Sequence, residues 1–297
     1  MGIWLSWSSF KQYETCGKQY NYQRVKKKDP PEKDSKHNAI IGSVVQRVYE
    51  DFYNDELWRK GSDTSDELME RTEKYYYEFL EEEYVDFNDV TCRFDSKTEP
   101  LKECYDIVPK VLEGIKREQF LGPYAKSEEK LKERFGSDFL FGYVDFIIRN
   151  QDDELILLDG KSSKHREKYV DERQLYFYAL LFYLRYKRLP DKLGFFYYRF
   201  ADDPEKAVDW IPVHRKKVKQ LKMQIEDVLS GIHDYNFPAK PKYSHCQWCP
   251  YEIICKERQE QKKANRAKRQ KNSKKPKLEA DFDGDGPTEI GFNNLKN

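Results

Sequence analysis

From Phe139 to Lys161 the chain reads FLFGYVDFIIRNQDDELILLDGK. Apolar residues crowd both ends of this stretch, while Asn150 to Asp153 between them are turn formers. It reads as two strands, Phe139 to Ile148 and Glu154 to Asp159, joined by that turn. The first strand carries Gly142-Tyr143-Val144-Asp145, and the second ends in Asp159-Gly160-Lys161. Adjacent strands thus deliver two carboxylates and an ammonium to one edge of a sheet. Side-chain alternation puts Asp159 and Lys161 on one face. Carboxylates suit hard Mg²⁺ or Mn²⁺. An ion so held polarises a phosphoryl oxygen and acidifies an attacking water, with Lys161 orienting that water or neutralising developing charge. In a chain with 36% charged residues a lone Asp-x-Lys triplet arises by chance, so the flanks must carry the reading.

Upstream, Lys130 to Phe135 reads as a preceding strand, turned by Gly136-Ser137-Asp138. Glu133, or Glu128 and Glu129, would supply a further carboxylate from it, although charged strand residues more often face solvent. Downstream, Asp171 to Tyr186 is a strongly apolar helix that places Gln174 and Tyr178 four residues apart on one face. Strands at Leu193 to Phe200 and Val208 to Ile211 follow, then an amphipathic helix from His214 to Ser230. Towards the N-terminus, Ser8 to Cys16 reads as a short helix closed by Gly17, and Lys26 to His37 as a polar loop. Ala39 to Leu57 has Ile40, Val44, Val45, Val48 and Phe52 at helical spacing, with Gly42, Gln46 and Glu50 at four-residue steps. Ser65 to Val85 and Tyr105 to Phe120 are further helices. Helices, three meandering strands, a helix and strands again describe an α/β (α+β) core, a mixed central sheet flanked by helices.

In order and spacing these motifs resemble the RecB-type nucleases of the PD-(D/E)xK superfamily: Gly-x-x-x-His-x-x-x-Glu, Gly-x-x-Asp, Asp/Glu-x-Lys and Gln-x-x-x-Tyr. The resemblance runs from about Ser6 to Cys255. It implies a restriction-endonuclease-like core, Asp145 and Asp159 as metal ligands and Lys161 as the catalytic lysine. Gln174 and Tyr178 would be active-site or substrate-orienting residues. It also implies hydrolysis of phosphodiester bonds in DNA with Mg²⁺ or Mn²⁺, as an exonuclease on single strands or DNA ends. Such a module serves recombination, repair, or viral and CRISPR DNA processing beside a helicase or integration partner. One position departs. Gln46 stands where the family has a metal-binding His, and an amide carbonyl is a weaker ligand without imidazole basicity. The alternative is therefore a catalytically weakened nuclease fold, a DNA-binding or recombination accessory protein.

Cys246, Cys249 and Cys255 follow C-x2-C-x5-C spacing, and Cys16 lies alone near the start. Four thiolates close a zinc site or hold a [4Fe–4S] cluster, and spacing does not separate the two. Resemblance to AddB and the CRISPR-adaptation exonucleases implies the [4Fe–4S] cluster, with zinc as the alternative, stapling the two ends together. On this reading residues 1–38 and 237–258 are cluster segments and 39–236 the nuclease core. Residues 259–297 are a disordered tail. Cys92 and Cys104 have no partner pattern and read as buried thiols. His165, just past the Asp-x-Lys strand, reads as a surface residue or a phosphate contact.

No run of about 18 apolar residues is present, so a membrane helix is not expected. Met1 to Phe10 lacks a basic n-region, and six cysteines without a secretory signal point to a reducing, cytoplasmic compartment of a bacterial, archaeal or virus-infected cell. A net charge of +1 conceals eleven Lys or Arg against two acids from Lys256 to Lys277, then acids from Glu279 to Glu289. A basic surface suits a polyanion such as DNA. No phosphate-binding loop of a motor is present.

Overall fold

In the computed structural model the described residues are 2–31, 35–59, 64–166 and 170–273. A two-residue strand, β1 (Trp4–Leu5), leads into α1 (Trp7–Thr15), capped by the Ser6 side chain, and α2 (Gly17–Tyr20). Then come α3 (Ile40–Asn54), α4 (Thr64–Glu82) and α5 (Glu99–Arg117), followed by β2 (Tyr124–Phe135), β3 (Asp138–Arg149) and β4 (Leu155–Lys161). The chain continues through α6 (Arg173–Tyr186), β5 (Lys192–Tyr197), β6 (Val208–Ile211), α7 (Arg215–His233), the short α8 (Tyr243–Cys246) and α9 (Lys256–Ser273).

The six strands form one mixed sheet. β2 pairs antiparallel with β3 along its length except at Glu128, β1 pairs parallel with the start of β3, and β4 pairs antiparallel with its last residues. β5 runs parallel to β4, and β6 closes the far side antiparallel. Two hydrophobic clusters sandwich this sheet. β4 shows why its sequence is apolar throughout: Ile156 and Leu158 join the cluster built on α3, α4 and α5, whereas Leu155 and Leu157 join the cluster built on α6 and α7. A strand buried on both faces offers no alternation, and its period-2 geometry distributes the same residue type to two cores.

β3 behaves differently. Leu140 and Val144 face the α6–α7 cluster, yet Phe146 and Ile148 face the other. The strand changes sides at Asp145. Opposite Asp145 in the register stands Glu128, this pair is missing from the ladder, and Glu128 has φ +53°. A non-glycine residue in the left-handed region costs about 1–3 kcal/mol and persists only where its surroundings impose it.

Several boundaries differ from the sequence reading. β2 begins at Tyr124 rather than Lys130, because pairing with β3 on both sides of Glu128 overrides the low strand propensity of the Lys126–Lys130 run. α5 starts at Glu99, with Pro100 in the first turn where its missing N–H is harmless. Gly17 does not end the N-terminal helical segment, which resumes as α2.

Two compact units divide the chain between Ile253 and Ile254. In the second, the run expected to be disordered is helical through Ser273. Its Lys, Arg, Gln, Glu and Ala are strong helix formers, and Arg258 bonds Gln261 one turn on at 2.7 Å. Residues 274–297, including the acidic tip, lie outside the described residues.

Candidate active site

The α6 side of the site is organised by Gln174. Its Nε2 donates to Asp159 Oδ1 at 2.5 Å, its Oε1 accepts from Lys161 Nζ at 3.2 Å, and Nε2 also reaches the Tyr178 hydroxyl at 3.2 Å. One amide therefore fixes the carboxylate, the ammonium and the tyrosine, and the four-residue helical step makes the Tyr178 contact available. Lys161 Nζ also lies 2.5 Å from Asp159 Oδ2 and above the Phe195 ring. Asp159 is buried, and its Oδ2 takes no hydrogen bond of sound geometry despite the nearby ammonium.

The α3 side is organised by Gln46. Its Nε2 donates to Glu128 Oε1 at 2.8 Å, and its Oε1 accepts from the buried Tyr198 hydroxyl. Asp145 lies at the side change of β3, where its Oδ2 accepts from the Gly160 backbone N–H at 2.7 Å. An open cavity of about 370 Å³ is lined by Gly42, Gln46, Glu128, Asp145, Gly160 and Tyr198 among others. A Cβ on Gly42, at its border, would come within 2.8 Å of Ser162 Oγ.

Burial and crowding set the electrostatics. The Asp145 carboxyl is pushed well above the usual carboxylate range by burial, then by the charges of Asp159 and Glu128. Asp159 is raised by burial against the opposing pull of Lys161, and Glu128 by burial and by Glu50. Three carboxylates are thus desolvated near one another, and carboxylate oxygens are the donor type a hard divalent cation takes. As placed, each is turned onto a neighbour: Asp159 onto Gln174 and Lys161, Asp145 onto Gly160, Glu128 onto Gln46. Among the described residues no three His, Cys, Asp or Glu side chains are gathered closely enough to hold a metal ion.

That finding bears on the cysteine staple. Cys16, Cys246 and Cys249 lie in the first unit and Cys255 at the start of the second, where its Sγ is 3.6 Å from Glu257 Oε2. Among the described residues no group of three thiols is gathered as a [4Fe–4S] or zinc site would need. Within the first unit the two terminal segments are joined by other means. Tyr13 donates to the Asn236 carbonyl at 2.5 Å, Tyr20 stacks on Phe237, and Tyr251 donates to the Lys28 carbonyl at 2.8 Å. Aromatic packing and main-chain acceptors hold this junction. Cys104 is buried, and burial pushes its thiol up to about 12.

Of the acidic residues considered on β2, the structure brings Glu128 to the site. Glu133 and Glu129 instead lie 2.6 and 3.9 Å from Arg185. Gln46 reaches the site, but its amide is engaged at both ends. His165 is exposed. Tyr198 was not legible as a site residue. Its position follows from the register that sets Lys161 beside Tyr197 at the end of β5.

Residues 4–256 match the family model of the PD-(D/E)XK nuclease superfamily. No curated protein matches the sequence. Among solved structures, the chain is similar to SSO0001 (17% identity, 84% of this chain and 94% of that one, TM-score 0.34). It is also similar to the "Putative exonuclease" of Eubacterium rectale (11% identity, 84% and 87%, TM-score 0.44). With the match spanning most of its length and the acidic strands and Asp-x-Lys lysine at one sheet edge, the chain belongs to the PD-(D/E)XK nuclease superfamily.

Proposed function

We propose that this protein is a metal-dependent deoxyribonuclease that hydrolyses phosphodiester bonds, acting on single strands or DNA ends. The observation that carries the reading is the Gln174 clamp, which holds Asp159, Lys161 and Tyr178 at the edge of the sheet beside Asp145. Asp145 and Asp159 would hold Mg²⁺ or Mn²⁺, with Glu128 as the adjoining carboxylate. When bound, such an ion supplies Lewis acidity towards a phosphoryl oxygen and lowers the pKa of an attacking water. Lys161, fixed by Gln174, places a positive charge where the phosphate becomes more negative and donates to the water that attacks it. Tyr178 supports Gln174 from one helical turn away. Because these groups are already held by one another, little side-chain entropy is lost when substrate arrives.

End-labelled single- and double-stranded DNA incubated with the protein and Mg²⁺ or Mn²⁺ tests this. Cleavage should vanish in EDTA and in Asp159→Ala or Lys161→Ala, while the variants still fold and bind DNA. Undiminished cleavage by Asp159→Ala would refute the assignment. A second reading, a nuclease fold weakened in catalysis and retained for DNA binding, draws on Gln46, whose carbonyl is occupied by Tyr198. Binding without cleavage in either metal would favour it.

A further inference from the structure

The face of β3 that leads to Asp145 carries a row of rings, exposed at Tyr143 and half-buried at Phe139 and Phe141. Pleat alternation puts Phe139, Phe141 and Tyr143 on one face. Directly opposite them in the register stand Arg134, Lys132 and Lys130 of β2, all exposed. Cross-strand partners share a face, so each ring is flanked by a cation. β1 extends the row, because Trp4 pairs with Phe139 and stacks on it at 4.5 Å and 11°. The contacts bear out this geometry. Lys132 Nζ sits 4.0 Å above the Trp4 ring and Lys130 Nζ 5.4 Å above Tyr143. Trp4 is 44% exposed and Tyr143 46%. The next step along the two strands is the Glu128–Asp145 position. At the usual strand rise of about 3.4 Å per residue, Phe139 lies roughly 20 Å from Asp145.

We propose that this face is a binding track for single-stranded nucleic acid, which feeds an extended strand towards Asp145. The inference rests on the nuclease reading above and adds a binding surface outside the Gln174 clamp. Charge complementarity identifies the occupant. Lys130, Lys132 and Arg134 form an unbroken cationic row, whereas the neighbouring acids of β2, Glu129 and Glu133, face Arg185 on the other side. A row of cations alone would suit any polyanion. The exposed rings beside them, Trp4 and Tyr143, suit unstacked bases, which a duplex keeps inside its own stack. A folded acidic protein would satisfy the lysines and leave the rings unused.

The track is tested with the full chain in EDTA, by fluorescence anisotropy of labelled oligo-dT, oligo-U and a duplex of equal length. Lys130→Gln/Lys132→Gln should weaken oligo-dT binding about tenfold or more at low salt. It should also reduce the log–log salt slope by about 1.4, since each phosphate contact on a single strand contributes roughly 0.7. Tyr143→Ala should weaken binding about fivefold or more, and Tyr143→Phe, which keeps a stacking face, should restore it. Hydrolysis of bis(4-nitrophenyl) phosphate, too small to reach the track, should be unchanged in all three variants. Tighter oligo-U than oligo-dT binding would support the track and name RNA as its source. Unchanged affinity and slope in folded variants, or equal affinity for the duplex, would overturn it. If wild type fails to hydrolyse either substrate while these variants lose binding, the nuclease reading fails and the track stands. If wild type cleaves and the variants bind normally, the track fails alone.

Discussion

Tyr198 lies so closely across Gly160 that a Cβ there would fall 1.8 Å from the phenolic oxygen and 2.4 Å from Cζ. This glycine separates Asp159 from Lys161, and its N–H is the donor that holds Asp145. A bare backbone at this point lets a buried ring pass over the strand and bring its hydroxyl to Gln46. The middle residue of the Asp-x-Lys triplet is therefore fixed by sterics as firmly as its neighbours are by chemistry.

Gly160→Ala should consequently destabilise the protein by about 1–3 kcal/mol, the usual cost of overpacking a filled site. It should also reduce cleavage, because Asp145 and Asp159 move with the strand. Removing the ring relieves the clash, so Gly160→Ala/Tyr198→Ala should cost less than the sum of its parts. Denaturant midpoints of the two single variants and the double variant measure this. A strictly additive cycle would mean the ring moves aside freely.

The strand pair carrying Asp145 and Asp159, and the helix carrying Gln174 and Tyr178, were legible because each element has its own apolar pattern and each polar residue interrupts it. Glu128 was not separable from Glu129 and Glu133. The three share one charged strand, and only register, a left-handed backbone and Arg185 on the other face sort them. Tyr198 was hidden for a related reason. In an aromatic run such as Phe195–Phe196–Tyr197–Tyr198, composition does not reveal which hydroxyl turns towards a polar partner. The contacts of Tyr13, Tyr20, Phe237 and Tyr251 at the junction of the terminal segments were hidden too, because these residue types blend into any core. In the basic run, charge density hid the helix propensity of Lys256–Ser273.

Gln46 offers a donor to Glu128 and an acceptor to Tyr198. A neutral imidazole has one donor and one acceptor, so Gln46→His can still donate to Glu128 while its bare nitrogen either accepts from Tyr198 or, in its place, ligates Mn²⁺ better than an amide does. Its stability should stay close to wild type, and its Mn²⁺-dependent cleavage should rise or hold. Gln46→Ala should cost about 1–3 kcal/mol, since it strands a buried hydroxyl. Thermal unfolding alongside cleavage in Mn²⁺ checks both. If Gln46→His abolished an activity plain in wild type, Gln46 would instead contact substrate.

Glu103 on α5 ties the strand end to the helical layer. It accepts from Arg93 through both oxygens at 2.6 and 2.8 Å and from Arg199 at 2.8 Å, while Arg199 Nε donates to the Ser162 carbonyl just past Lys161. Hydrogen bonds from Arg93 hold the Glu103 carboxyl down at about 2, with Arg199 adding to them against the opposing effect of burial. Its folded value thus lies below its ordinary value of 4.5. Stability from this group is fully present above about pH 5 and is lost as pH falls towards 2. With the side chain 27% exposed, screening leaves a contribution on the order of 1–2 kcal/mol. Between pH 5 and 2 the wild-type unfolding free energy should therefore fall more steeply than that of Glu103→Gln. The two curves should converge at the acid end, because a protonated Glu103 resembles the glutamine. Parallel curves across that window would mean that Arg93 and Arg199 are held by other groups and that Glu103 contributes little to this junction.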